Sequence, residues 1–132
     1  MNALFVFPAY EPAWAFGGTV SSNVTLCRAL ARAGVHVVVY TTNADRKSGY
    51  LDVPLNKPII LGGVEVWYFK CNILMKRVFH SRTLYRKLKE TVKDFDVIHV
   101  AAVWQLLQFE VCRISKREHK PVIASTHGSF SA

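Results

Sequence analysis

The chain has 132 residues, 51% hydrophobic and 20% charged, and its 17 Lys and Arg against 9 Asp and Glu give a net charge of +8. That is chain enough for one domain with one core, and too apolar for a disordered segment. No run reaches the roughly 18 to 20 apolar residues that a membrane-spanning helix needs, and the opening Met1-Asn2-Ala3-Leu4-Phe5-Val6-Phe7-Pro8 lacks the basic region of a secretory signal.

Ala3 to Pro8 is a continuous apolar run, the pattern of a strand buried on both faces. An irregular stretch with Pro12, Gly17 and Gly18 follows. From Thr19, the residues Val20, Val24, Cys27 and Ala31 recur with helical spacing, widened by Leu26 and Leu30. Thr19 or Ser21 is the expected cap and Gly34 the expected terminator. Val35 to Thr41 predicts a second strand rich in β-branched residues. Thr42 to Lys57 reads as a long polar connection, of the length that is usually functional or mobile. Ile59 to Leu61 and Val64 to Phe69 flank Gly62-Gly63, a hairpin signal. Leu84, Leu88 and Val92 predict a helix over Arg82 to Lys93. Asp96 to Ala101 is a buried strand, Trp104 to Lys116 a helix and Pro121 to Ser125 a last strand.

This alternation predicts an α/β fold, a Rossmann-like doubly wound and mostly parallel sheet with helices on both faces. Ligands of such sheets bind beyond the carboxyl ends of the strands. Four segments are thereby selected to line one crevice: Pro8 to Gly18, Thr41 to Asp45, Ala101 to Trp104 and Ser125 to Ser129.

Within them, Gly17 and Gly18 stand just ahead of a helix. Two readings remain open: a close approach of backbone N–H groups to a phosphate or sugar oxygen, or a tight turn. The spacing is not that of a GxGxxG fingerprint. His127-Gly128 follows the last strand on the ligand side, where His127 is either a site residue or a solvated terminal histidine. His99, between Ile98 and Val100, is expected to be a hydrogen-bonded core histidine. Glu11 is expected to be a solvated loop carboxylate. Cys27, Cys71 and Cys112 form no CxxC pair, so neither a zinc site nor a disulfide framework is expected, and Cys27 and Cys112 fall on apolar helix faces. This cysteine usage fits a reducing cytoplasm.

Lys70, Lys76, Arg77, Arg82, Arg86, Lys87, Lys89 and Lys93 lie together with only Glu90 among them. Such a block is either an ordinary solvated helix face or an anion-attracting surface. An anionic membrane is the favoured partner, with Ile73, Leu74, Met75, Val78 and Phe79 as insertion points; nucleic acid is disfavoured because Trp67, Tyr68 and Phe69 read as strand core.

Three strings then combine. AFGGTVSSNVTLCRALARAGVHVVVYTT resembles the opening of the group 1 (family four) GT-B retaining glycosyltransferases, with a Gly-Gly loop before a helix that closes into a second strand. DFDVIHVAAVW resembles their "yDvIHvHg.w" segment, and KPVIASTHGSFS their "kP.v.s.HG..s" segment. The resemblance implies the N-terminal, acceptor-side half of a GT-B fold. It implies a nucleotide-sugar donor as co-substrate, no covalent cofactor and no metal, and hexose transfer with retention to a glycan or lipid-linked acceptor, as in polysaccharide biosynthesis.

By position, Gly17, Gly18 and Gly128 correspond to backbone near the donor phosphates or the transferred sugar. His127 corresponds to a histidine at the catalytic centre. The second histidine of "HvH" is Ala101 here. The family's donor-binding Arg/Lys pair and Glu-x7-Glu motif belong to a C-terminal domain, and no residue of this chain corresponds to them. The expectation is therefore one truncated domain over residues 1–132, inactive alone, cytoplasmic or peripheral on the inner membrane face. The alternative is a non-catalytic acceptor-binding or membrane-docking subunit of a split glycosyltransferase.

Overall fold

The computed structural model describes residues 1–7, 10–12, 18–45, 49–75, 78–101 and 105–125. In chain order they form β1 (Asn2–Val6), α1 (Gly18–Arg32), β2 (His36–Thr42), β3 (Ala44–Asp45), β4 (Gly49–Tyr50), β5 (Pro58–Leu61), β6 (Val64–Phe69), β7 (Asn72–Met75), β8 (Val78–His80), α2 (Arg82–Thr91), β9 (Val97–Ala101), α3 (Gln105–Arg117) and β10 (Val122–Ser125). A 3-10 turn at Val92–Asp94 extends α2.

The main sheet has six strands in the order β10-β9-β1-β2-β6-β5. Every neighbouring pair is parallel except β5 with β6. This is the mostly parallel, Rossmann-like α/β architecture that the alternation predicts.

β1 is central, and its period-two side chains feed two separate cores. Ala3, Phe5 and Phe7 point to one face, where Val20, Val24 and Cys27 of α1 cover them. Leu4 and Val6 point to the other, beneath Leu84 and Leu88 of α2 and Val111 and Ile114 of α3. β2 divides the same way, with Val37 and Val39 against α1 and Val38 and Tyr40 against the α2–α3 layer. The result is three layers, helix, sheet and helix pair.

The helix ends are set by local chemistry. α1 begins at Gly18, so Thr19 and Ser21, the expected caps, both lie inside its first turn. It ends as expected at Gly34, whose φ is 96°. There the Val35 N–H reaches Leu30 O and the Gly34 N–H reaches Ala31 O, the paired bonds of a Schellman terminator. Leu26 departs from the predicted apolar face and is 37% exposed, whereas Leu30 packs on the core. Ser81 caps α2 by accepting from the Leu84 N–H at 3.3 Å, a signal that the periodicity alone did not reveal. Gly62 and Gly63, at φ 59° and 83°, supply the two left-handed residues of the tight β5–β6 turn.

Two small ribbons were not anticipated. The connection after β2 pairs β3 with β4 and then lays Leu51, Val53 and Leu55 on the α1-side core. These alternating residues in a polar stretch make it a packed strap rather than a free loop. Between β6 and α2, β7 pairs antiparallel with β8, with Ile73 opposite Phe79 and Met75 opposite Val78. The candidate insertion residues thus belong to a ribbon.

Cys27 and Cys71 are fully buried, and no disulfide forms among the described cysteines. Burial pushes the Cys27 thiol from 9.0 up to about 12, slightly offset by the nearby Tyr10 hydroxyl. The Cys71 thiol rises from 9.0 to about 11 for the same reason, offset by Thr42. Between these ordinary and native values the folded chain binds more protons than the unfolded one, so stability falls as pH rises. The urea midpoint should therefore drop between about pH 8 and about pH 10.5, and Cys27→Ala should flatten the drop. A midpoint that rises over this range would contradict the assignment.

Candidate functional site

The chain leaves β1 through α1 toward β2 on one face, and from β9 it leaves through α3 toward β10 on the other. β1 and β9 are neighbours, so the strand order reverses between them. Connections that depart to opposite faces leave a gap beyond the carboxyl ends of the two strands, and this topological switch point is where such sheets bind ligands.

α1 opens at Gly18 with no acidic residue in its first turn. Its N-terminal N–H groups and positive dipole end lie directly after the β1 connection, a setting that favours an anionic or oxygen-rich ligand. Gly17 lies outside the described residues, as do His127 and Gly128. The approach to the latter pair is described: β10 ends at Ser125, in register with Ala101 at the end of β9. Of the four predicted crevice segments, the carboxyl end of β9 stops at Ala101, and 102–104 lie outside the described residues.

The start of the β1–α1 connection corrects the expectation for Glu11. Its carboxylate is not solvated; it takes Arg28 of α1 at 2.7 and 2.8 Å and keeps only 12% side-chain exposure. The Tyr68 hydroxyl donates to the Glu11 carbonyl. Tyr10 is buried, stacked on Phe7 with ring centroids 5.8 Å apart. Burial, and then the Glu11 carboxylate, raise the Tyr68 phenol; burial and then the neighbouring Cys27 raise Tyr10. Both phenols therefore stay neutral, and the Tyr68 hydroxyl serves as a donor. The Arg28 side chain also crosses Gly62, where a Cβ would come within 2.5 Å of Nε. One arginine thus ties the β1–α1 connection to the β5–β6 turn. Nothing local in the sequence marks which arginine Glu11 will find.

The carboxyl end of β2 is polar and closed. Thr41, Thr42 and Asn43 are all buried. Asn43 accepts from the Cys71 N–H through Oδ1 at 2.8 Å and donates its own N–H to Phe69 O. That predicted crevice segment therefore spends Asn43 on clamping the strand exits together. His99 is half-buried on the α1 side, with its ring 4.9 Å from that of Phe5. Among the described residues, no three His, Cys, Asp or Glu side chains gather in a metal-holding group.

A mostly parallel sheet with a switch point between β1 and β9, and a helix that begins beside it, define a Rossmann-like domain. The sequence model of Glycosyltransferase Family 4 matches residues 16–132, a span that holds Gly17, Gly18, His127 and Gly128. The chain belongs to that family, as the N-terminal type of domain of the group 1 GT-B glycosyltransferases. No curated protein matches the chain.

Removing Arg28 would leave the Glu11 carboxylate largely buried without its counter-ion. Arg28→Met should lower unfolding stability by about 1 to 3 kcal/mol, the upper end being limited by the 37% exposure of the arginine. The double variant with Glu11→Gln should cost less than the two single variants summed. Strict additivity in urea titrations would show that the pair does not couple.

Proposed function

We propose that this domain forms the acceptor side of a retaining glycosyltransferase that moves a hexose from a nucleotide-sugar to a glycan or lipid-linked acceptor. The observation that supports this most is the switch point between β1 and β9, with α1 beginning at Gly18 beside it, in a chain of Glycosyltransferase Family 4. Donor class and retention rest on the resemblance of the Gly-Gly and His-Gly segments to the family's motifs.

In this reading the N–H groups around Gly17 and Gly18 meet donor phosphate or sugar oxygens, and the Gly128 backbone comes close without a side chain in the way. His127 hydrogen-bonds a sugar hydroxyl, and it aids catalysis to the extent that this bond tightens as the glycosidic bond breaks. The Glu11–Arg28 pair fixes the chain at Glu11, so that ordering at this point is not left to substrate binding. No cofactor and no metal is assigned a role. The nucleotide of the donor is held mainly by a second domain or chain, because half a cleft cannot place two substrates in attack geometry.

Two measurements test this. Calorimetry of these 132 residues with UDP- and GDP-sugars should find weak binding at most, and sub-micromolar affinity would overturn the division of labour. In the complete enzyme, His127→Ala should keep the melting temperature and lose roughly a hundred- to thousand-fold in turnover, as loss of one transition-state contact typically does. His99→Ala, which empties a strand position beside Phe5, should instead lose stability. The reverse pattern would falsify the assignment of His127.

A further inference from the structure

Glu11 is gripped twice, and both grips lead to the β5–β6 hairpin at the outer end of the sheet. Its carbonyl accepts from the Tyr68 hydroxyl of β6. Its carboxylate takes one Arg28 nitrogen at 2.7 and 2.8 Å, and the Arg28 stem lies across the turn that joins β5 to β6. A Cβ at Gly62 would stand 2.5 Å from Nε, 2.9 Å from Cδ and 3.0 Å from Cγ of that side chain. Nε is itself buried, with no hydrogen-bond partner among the described residues. The guanidinium is thus held by Glu11 at its tip and by the turn along its stem. Turn chemistry alone does not ask for this glycine. Two left-handed residues close a two-residue hairpin, and Asn-Gly is a preferred pair for it. At φ 59°, Gly62 sits where asparagine enters at little cost. At Gly63, φ 83°, a Cβ would meet only the Ala31 Cβ at 3.6 Å, an ordinary contact. What sets position 62 apart is the arginine that crosses it.

We propose that Gly62 is a positioning residue for the ligand site. The slot it leaves open lets Arg28 reach Glu11, and through Glu11 the β5–β6 turn sets the chain that runs from β1 to the start of α1 at Gly18. A side chain at position 62 pushes the Arg28 stem aside and takes its guanidinium out of reach of Glu11. The carboxylate, which keeps only 12% side-chain exposure, then turns toward water and carries the chain with it. Ordering that chain again falls to the ligand, which weakens binding without changing the chemistry of a bound substrate. The kinetic half of this inference rests on the transferase reading; the structural half does not.

The test compares Gly62→Asn with Gly63→Asn, two changes in one turn of which only the first meets Arg28. In the 15N-labelled chain without ligand, Gly62→Asn should move the amide resonances of Glu11 and of the first turn of α1. Gly63→Asn should leave them in place. In an Arg28→Ala background, where no stem crosses the turn, Gly62→Asn should add nothing to these shifts. In the complete enzyme, Gly62→Asn should raise KM for the UDP- or GDP-sugar it turns over by roughly two- to tenfold, with kcat unchanged. Equal shifts from the two asparagine variants overturn the proposal, because the turn itself would then be the cause. So do shifts that Gly62→Asn still produces without Arg28. Amide shifts with an unchanged KM also overturn it, since the arginine would then hold the fold and not the site. If the shifts appear as expected but the wild-type enzyme turns over no nucleotide-sugar, the transferase reading fails and the link from turn to Glu11 stands.

Discussion

β1 has to be apolar on both faces. A parallel strand at the centre of a sheet has helices above and below it, so every side chain from Ala3 to Phe7 must leave water. Once β1 holds that position, β2 and β9 take its two edges, and α1 and the α2–α3 pair take its two faces. The switch point follows from the same fact, since the chain must leave β1 to one side and return on the other. The switch point is thus a consequence of how the chain buries its central strand.

The walls of that place are held by polar contacts that a core cannot supply. Glu11 and Arg28 fix the chain as it leaves the central strand, and Asn43 ties the exit of β2 to the exit of β6. Buried polar groups cost free energy unless paired, so these contacts also specify one arrangement over slipped alternatives. Rigid support for a site is what allows binding energy to be directed at the transition state.

Where side-chain period and element type agree, the chain was legible before folding. The β-branched run of β2, the four-residue spacing of α2 and the Gly62-Gly63 turn each appear as read. What escaped notice depends on distant partners. The strap of Leu51, Val53 and Leu55 looks like polar linker until the α1-side core is there to receive it. Glu11 looks solvated until Arg28 arrives from a helix 17 residues away. The β7–β8 ribbon is short and carries no turn glycine, so no local rule announced it. As for the site, position in the topology singled out Gly18 and the exit of β10, because the rule for doubly wound sheets needs only the strand order. The chemistry came from the motif resemblance, since a glycine and a histidine alone do not name a sugar.

The central claim is that ligands enter beyond the carboxyl ends of β1 and β9. Amide chemical shifts of the 15N-labelled chain, followed during titration with a nucleotide-sugar, address it even when binding is weak. The account predicts the largest changes at Gly18 and its neighbours in the first turn of α1 and at the carboxyl end of β9 around Ala101. Changes concentrated at the opposite edge, at the Gly62-Gly63 turn and the last turns of α2 and α3, would contradict it.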